Sequence, residues 1–382
     1  MIAYNTHDLD ANATCTEAEK WWKKGLLTAE QRQAIRTHYN SHFYTPNVFL
    51  RICLAVLSWI LICAMLGIGV IFFDPNNRLG TGVLLVFFGG VLFTALEYYI
   101  REKKYYQAGI DDALLHMALT LTIVGVCLLF PEVFDDPLPY FLIAFPMLLI
   151  GAIRYVDKLA TVSSFACAIA ILFLACLEIG GILKNIIPFV LMAFTGGTYG
   201  LVRKNKEKEE LRFWTECLQV VEFMSLFLLY LAGNYFVVRE GNELLLSSDT
   251  VAFSFLFYLF TLAIPVVYIY FGLKNKDRLM LWAGLLVVVL SVLTFKYYFN
   301  PTHNPVSITL AGAFLVIGSY LAIRYLKKGH AIYSYKEDDE QAFANAEALM
   351  LAQSFGTPAQ TPEKDFQLGG GQFGGGGASS DY

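Results

Sequence analysis

The chain has 382 residues, a formal net charge of −4, 56% hydrophobic and 16% charged residues, and a mean hydropathy of +0.52. Soluble domains carry roughly 25% charged residues, and here the apolar residues come in blocks of about twenty, apolar on every side, rather than at amphipathic spacing. That excludes a soluble multidomain chain. The expected fold class is all-α, a polytopic transmembrane helical bundle of ten spans.

Residues 1–15 read as disordered. Thr16-x-x-Glu19 and Thr28-x-x-Gln31 both fit capping boxes, and Gly25 between them fits a helix stop. Residues 1–47 are therefore expected to hold a cytoplasmic helical hairpin with Trp21, Trp22, Leu26, Leu27, Ile35 and Tyr39 on its apolar faces. Two roles stay open for it: an interfacial hairpin with tryptophans at headgroup level, or a docking module for a cytoplasmic protein partner. The residues Trp21, Trp22, Gly25, Thr28, Glu30, Gln31, Ile35 and Tyr39, just ahead of a first span, resemble the start of domain-of-unknown-function family 2157. The resemblance implies a bacterial membrane protein and supplies no catalytic residues.

Val48–Phe73 is the first uninterrupted apolar run, with Arg51 as its one charge. About 20 residues suffice to cross a bilayer core, so this run is also expected to serve as the targeting signal. Further spans are predicted at 80–100, 110–130, 137–154, 159–183, 185–202, 213–238, 251–273, 279–298 and 305–325. With the leading segment placed inside, 24 of the 28 Lys and Arg fall on inner regions and only Arg78, Lys184, Arg239 and Lys296 outside. That asymmetry orients a membrane protein: both termini are expected to be cytoplasmic, in the bacterial inner membrane. The outer loops lean acidic, through Asp74, Glu132, Asp135, Asp136, Glu240, Glu243 and Asp249. They read as a solvated face or as a vestibule attracting cations.

Short matches recur at a nearly constant offset. Phe145-Pro146-x-x-x-Ile150 resembles Ile264-Pro265-x-x-x-Ile269, Asp157-Lys158-Leu159 resembles Asp277-Arg278-Leu279, and Gly197-Thr198-Tyr199 resembles Gly318-Ser319-Tyr320. Within the membrane domain at 48–328, they suggest tandem four-span copies at 105–204 and 212–328, related by an axis along the membrane normal as in parallel-repeat transporters. Pro146 and Pro265 would kink matching helices, since each removes a backbone donor.

By helical rise, most intramembrane charges lie near an interface, but His116 sits roughly 9 Å and Glu222 roughly 13 Å from the inner face. A carboxylate at such depth costs about 3 kcal/mol and is a functional hypothesis by default. Gln219 and Ser225 flank Glu222 on one stripe, and under the duplication His116 and Glu222 would occupy equivalent, facing positions. They form either a proton or cation site, or a protonated Glu222 hydrogen-bonded beside a packed histidine. Gly196-x-x-x-Gly200 offers a smooth face for helix packing.

The seven cysteines have no C-x-x-C spacing and read as small buried apolar residues, with no disulfide and no metal expected. Residues 329–382 are expected to hold a cytoplasmic helix, through about Ser354, and a disordered Gly-rich tail. That tail, GGGQFGGGGASSDY, resembles the terminus of TPM-domain membrane proteins and is a second surface for a protein partner. No catalytic motif is present and no cofactor is expected. With no dense basic patch, nucleic acid is not an expected partner. Two functions survive: a non-catalytic membrane scaffold or envelope sensor, or a small-solute or ion transporter built around Glu222 and His116.

Overall fold

The computed structural model describes residues 2–72, 77–134, 136–246 and 252–299, together with Gly312, Ile317, Tyr320 and Arg324. Apart from those four residues, the predicted tenth span at 305–325 lies outside the described residues, as does the tail at 329–382. Within them the chain is all-helical, with one isolated bridge, Tyr44 to Tyr105, as its only extended pairing. Two helices come first, α1 (Thr6–Lys23) and α2 (Ala29–His38). Then follow α3 (Val48–Phe72), α4 (Arg78–Glu102), α5 (Ile110–Leu129), α6 (Pro137–Tyr155), α7 (Lys158–Ile179) and α8 (Ile182–Asn205). The last four are α9 (Thr215–Gly233), α10 (Tyr235–Leu246), α11 (Ser254–Lys274) and α12 (Arg278–Phe299). Nine helices among the described residues are long and apolar enough to cross a membrane, and the chain is a multi-pass membrane protein.

The N-terminal segment differs from its prediction. Residues 6–15 are helical, because Asn5 rather than Thr16 starts α1; its side chain accepts from His7 N at 2.9 Å. Thr16 lies mid-helix and donates to Asn12 O at 2.8 Å. The second capping box is present as predicted, with Thr28 and Gln31 satisfying each other's backbone amides. Gly25 turns the chain between the helices at φ +75°, a conformation glycine takes without strain. Ala18, Trp21, Leu27 and Ile35 form the small core of this hairpin, with Leu26 and Tyr39 against it.

The spans pair as antiparallel neighbours, α4 with α5, α6 with α7, α8 with α9 and α11 with α12. Their side chains form two separate cores. One joins α3–α7 around Leu96, Leu115, Ala118, Leu119 and Ala160; the other joins α8, α9, α11 and α12 around Leu226, Tyr230, Tyr268, Ala283 and Val287. The closest helix contact is not at Gly196 and Gly200, since Gly200 has open space before it among the described residues. Close contact occurs instead where α4 meets α5: a Cβ on Gly125 would stand 2.9 Å from Val86 N, and one on Gly82 3.1 Å from Gly125 O. Small residues let backbones approach this closely in lipid, where the hydrophobic effect does not hold helices together.

The predicted span at 213–238 ends early. Asn234 leaves helical conformation at ψ 127° and its Oδ1 accepts from Phe236 N at 2.9 Å, so it closes α9 and starts the short helix α10. Most of α10 falls where the hydropathy pattern predicts an outer loop. Gly233-Asn234 was the available stop signal. Pro146 and Pro265 both lie inside continuous helices, and so does Pro188 in α8.

Candidate functional site

One end of the bundle gathers the N-terminus of α3, the C-termini of α4, α6 and α8, and the N-termini of α5, α7, α9 and α12. The basic residues of the short connections collect there, and eight of them meet a carboxylate. Arg51 binds Asp112 through Nε and Nη2 at 3.0 and 2.7 Å, and Gln107 through Nη1 at 3.3 Å. Arg154 donates to Glu97 Oε1 at 2.8 and 2.6 Å, and Tyr155 donates to the same oxygen at 2.9 Å. Lys158 meets Glu216 at 2.7 Å, and Arg203 meets Asp277 at 3.1 Å. The rule that orients membrane helices counts Lys and Arg and neglects acids, so this neutralisation was invisible to it.

The first residues of the chain are part of this end. Ala3 N donates to Arg154 O at 2.8 Å, Arg212 meets Asp10 at 2.8 Å, and Asp8 lies 3.2 Å from His42 and 4.0 Å from Lys104. Trp214 Nε1 ties in α6 through Ile153 O at 3.0 Å. The expected disorder of residues 1–15 is thus replaced by a segment sewn to several elements. The missed signal was Asn5-x-x-Asp8, a cap followed by an acidic first turn.

Under this segment lies a cavity of about 340 Å³. Its wall includes Tyr4, Arg51, Tyr106, Gln107, Asp111, Asp112, His116, Tyr155, Asp157 and Lys158. The loop before α5 shapes it through left-handed residues Lys104, Gln107 and Gly109. Gly109 is indispensable: at φ +93°, a Cβ there would stand 2.2 Å from Arg51 O. Asp111 is buried and accepts from Ala108 N at 2.8 Å. Asp157 caps α7, accepting from Ala160 N at 2.6 Å, with His116 Nε2 at 3.3 Å from the same oxygen. Burial would raise the Asp157 carboxyl, but His116 and the amides of Ala160 and Leu159 outweigh it and hold the group below its ordinary value. Burial, followed by the fields of Asp111, Tyr106, Asp112 and Asp157, pushes the Tyr4 phenol well above its own.

His116 and Glu222 do not meet. Glu222 is fully buried on α9 and binds Lys206 Nζ through Oε2 at 3.0 Å and Oε1 at 3.3 Å. The long side chain of Lys206, at the end of α8, reaches in from the basic end and supplies a counter-charge that sequence spacing alone does not reveal. Gln219 is exposed and is not part of that arrangement, whereas Ser225 is buried with its Oγ unpartnered among the described residues. No group of three His, Cys, Asp or Glu side chains placed to hold a metal ion occurs among the described residues. No family model, no curated protein and no solved structure matches the chain.

Proposed function

We propose that this chain is a non-catalytic scaffold or envelope sensor of the bacterial cytoplasmic membrane, with ten spans and both termini cytoplasmic. The carrying observation is the attachment of residues 3–10 to the bundle through Arg154 O and Arg212. A rearrangement at the basic end would be transmitted to the α1–α2 hairpin, which presents Trp22 and the outer face of α2 to a cytoplasmic protein partner. Residues 329–382 are the second docking arm in this reading. Kinship with domain-of-unknown-function family 2157 and a tandem duplication belong to the same proposal. The duplication is supported by the turn into α12, which repeats that into α7: a left-handed residue, then a capping aspartate.

A second reading, transport through Glu222, draws on the complete burial of that carboxylate and on the unpartnered Ser225 hydroxyl beside it. Reconstitution into liposomes separates the two. The scaffold reading expects no proton, alkali-cation or solute flux from the full chain, and none from Glu222→Gln. A cation-dependent flux abolished by Glu222→Gln would replace it with transport. Reporter fusions at each end test the orientation, with both expected on the cytoplasmic side.

A further inference from the structure

We propose that the cavity beneath Tyr4 is a binding site for a small organic cation, a primary or quaternary ammonium. Its volume of about 340 Å³ falls in the range of small-molecule sites, roughly 300–1,000 Å³. Its charge selects the sign of the ligand. Three carboxylates, Asp111, Asp112 and Asp157, face two permanent cations, Arg51 and Lys158. Arg51 is committed to Asp112 and Gln107, Lys158 to Glu216 and His116 to Asp157. Asp111, 3% exposed, is left with backbone amides and no cationic partner.

The rest of the wall suits an ammonium as well. Tyr4, Tyr106 and Tyr155 bring aromatic rings to one cavity, with Tyr4 and Tyr106 edge to face at 5.0 Å. Tyrosine faces attract cations through the ring quadrupole, and cages of such rings are how quaternary ammoniums are recognised. Tyr4 is 8% exposed, and its hydroxyl makes no hydrogen bond among the described residues, so an acceptor and a donor stand unused at the cavity. An anion finds no free guanidinium or ammonium there. The inference is independent of the scaffold reading, since it concerns only what the cavity binds.

Titration calorimetry on the full chain in detergent, with choline and putrescine as probes, tests it. At least one is expected to bind saturably, whereas 3,3-dimethylbutan-1-ol, the neutral isostere of choline, and succinate are not. Asp111→Asn keeps an acceptor for Ala108 N but loses the charge, and is expected to weaken binding at least tenfold. Tyr106→Leu is expected to weaken it about fivefold, by the loss of a cation–π contact of roughly this size. Glu178→Gln, exposed at the far end of α7, should bind as the parent does. Absence of saturable binding by both cations overturns the proposal, as does equal affinity for the neutral isostere or undiminished affinity in Asp111→Asn. Should Asp111→Asn fail to fold, undiminished affinity in Tyr106→Leu would overturn it in the same way.

Discussion

In the first core the turn from α6 to α7 passes through left-handed Val156 into Asp157; in the second, the turn from α11 to α12 passes through left-handed Lys276 into Asp277. Each aspartate accepts the amide three residues on, from Ala160 at 2.6 Å and from Met280 at 3.1 Å. The neighbouring helix then differs. On α5, His116 faces Asp157, whereas on α9 the buried Glu222 pairs with Lys206. The second core takes two long cations from the end of α8, Arg203 for Asp277 and Lys206 for Glu222. In the first core, Asp157 and His116 instead line the cavity beneath Tyr4. The same backbone device thus borders a cavity in one core and two ion pairs in the other.

Removing one arm is the strongest way to break this comparison. Lys206→Met leaves Glu222 buried without its counter-charge, and stripping a partner from a buried pair costs about 3 kcal/mol. Replacing both groups, as in Glu222→Leu with Lys206→Met, should recover most of that loss. Unfolding followed in detergent measures both variants, and a single variant as stable as the parent would mean the pair is idle. Gly109→Ala should come next, at about 2 kcal/mol, because it adds positive-φ strain to a Cβ standing 2.2 Å from Arg51 O. That loss should loosen α3 from α5 specifically, raising the reactivity of Cys53 on α3 toward a maleimide.

The spans from α3 to α12 were legible because bilayer thickness imposes a length on apolar runs that no tertiary contact alters. The second capping box at Thr28 was legible for a similar reason, since both partners lie within four residues. What escaped depended on distance in sequence. Lys206 reaches Glu222 across sixteen residues and Arg212 reaches Asp10 across 202, so neither pair leaves a local pattern. Asp8, Asp10 and Tyr4 read as the polar start of a loose terminus because their partners, His42, Phe43, Lys104, Tyr106 and Arg212, all lie beyond the first hairpin. Helical rise assigns His116 and Glu222 a depth but cannot say what faces them. Azimuth around the bundle is set by packing, as at Gly82 and Gly125, and not by depth.

Acid should distinguish the halves more gently. Asp157 is held deprotonated below its ordinary value near 3.9, so its contribution to stability is complete above roughly pH 4 and is lost as the pH falls through the lowered value. His116→Gln removes one of the groups that depress it, and the acid limb of the unfolding temperature should then begin at higher pH. Identical limbs for parent and variant would show that His116 does not hold that carboxylate.

The smallest effect compares the two left-handed residues directly. Val156 sits at φ 51° and Lys276 at φ 52°, a region that costs a side-chain-bearing residue roughly 1–2 kcal/mol, and a β-branched one most of all. Glycine relieves that strain but adds freedom to the unfolded chain worth about 0.5–1 kcal/mol. Val156→Gly should therefore stabilise by about 0.5 kcal/mol or more, while Lys276→Gly, whose unbranched side chain is less crowded, should come out near zero. Thermal unfolding of the two variants side by side reads the difference. If the lysine variant gained more than the valine variant, the two turns would not share one geometry, and the correspondence between α6–α7 and α11–α12 would fail at its most local point.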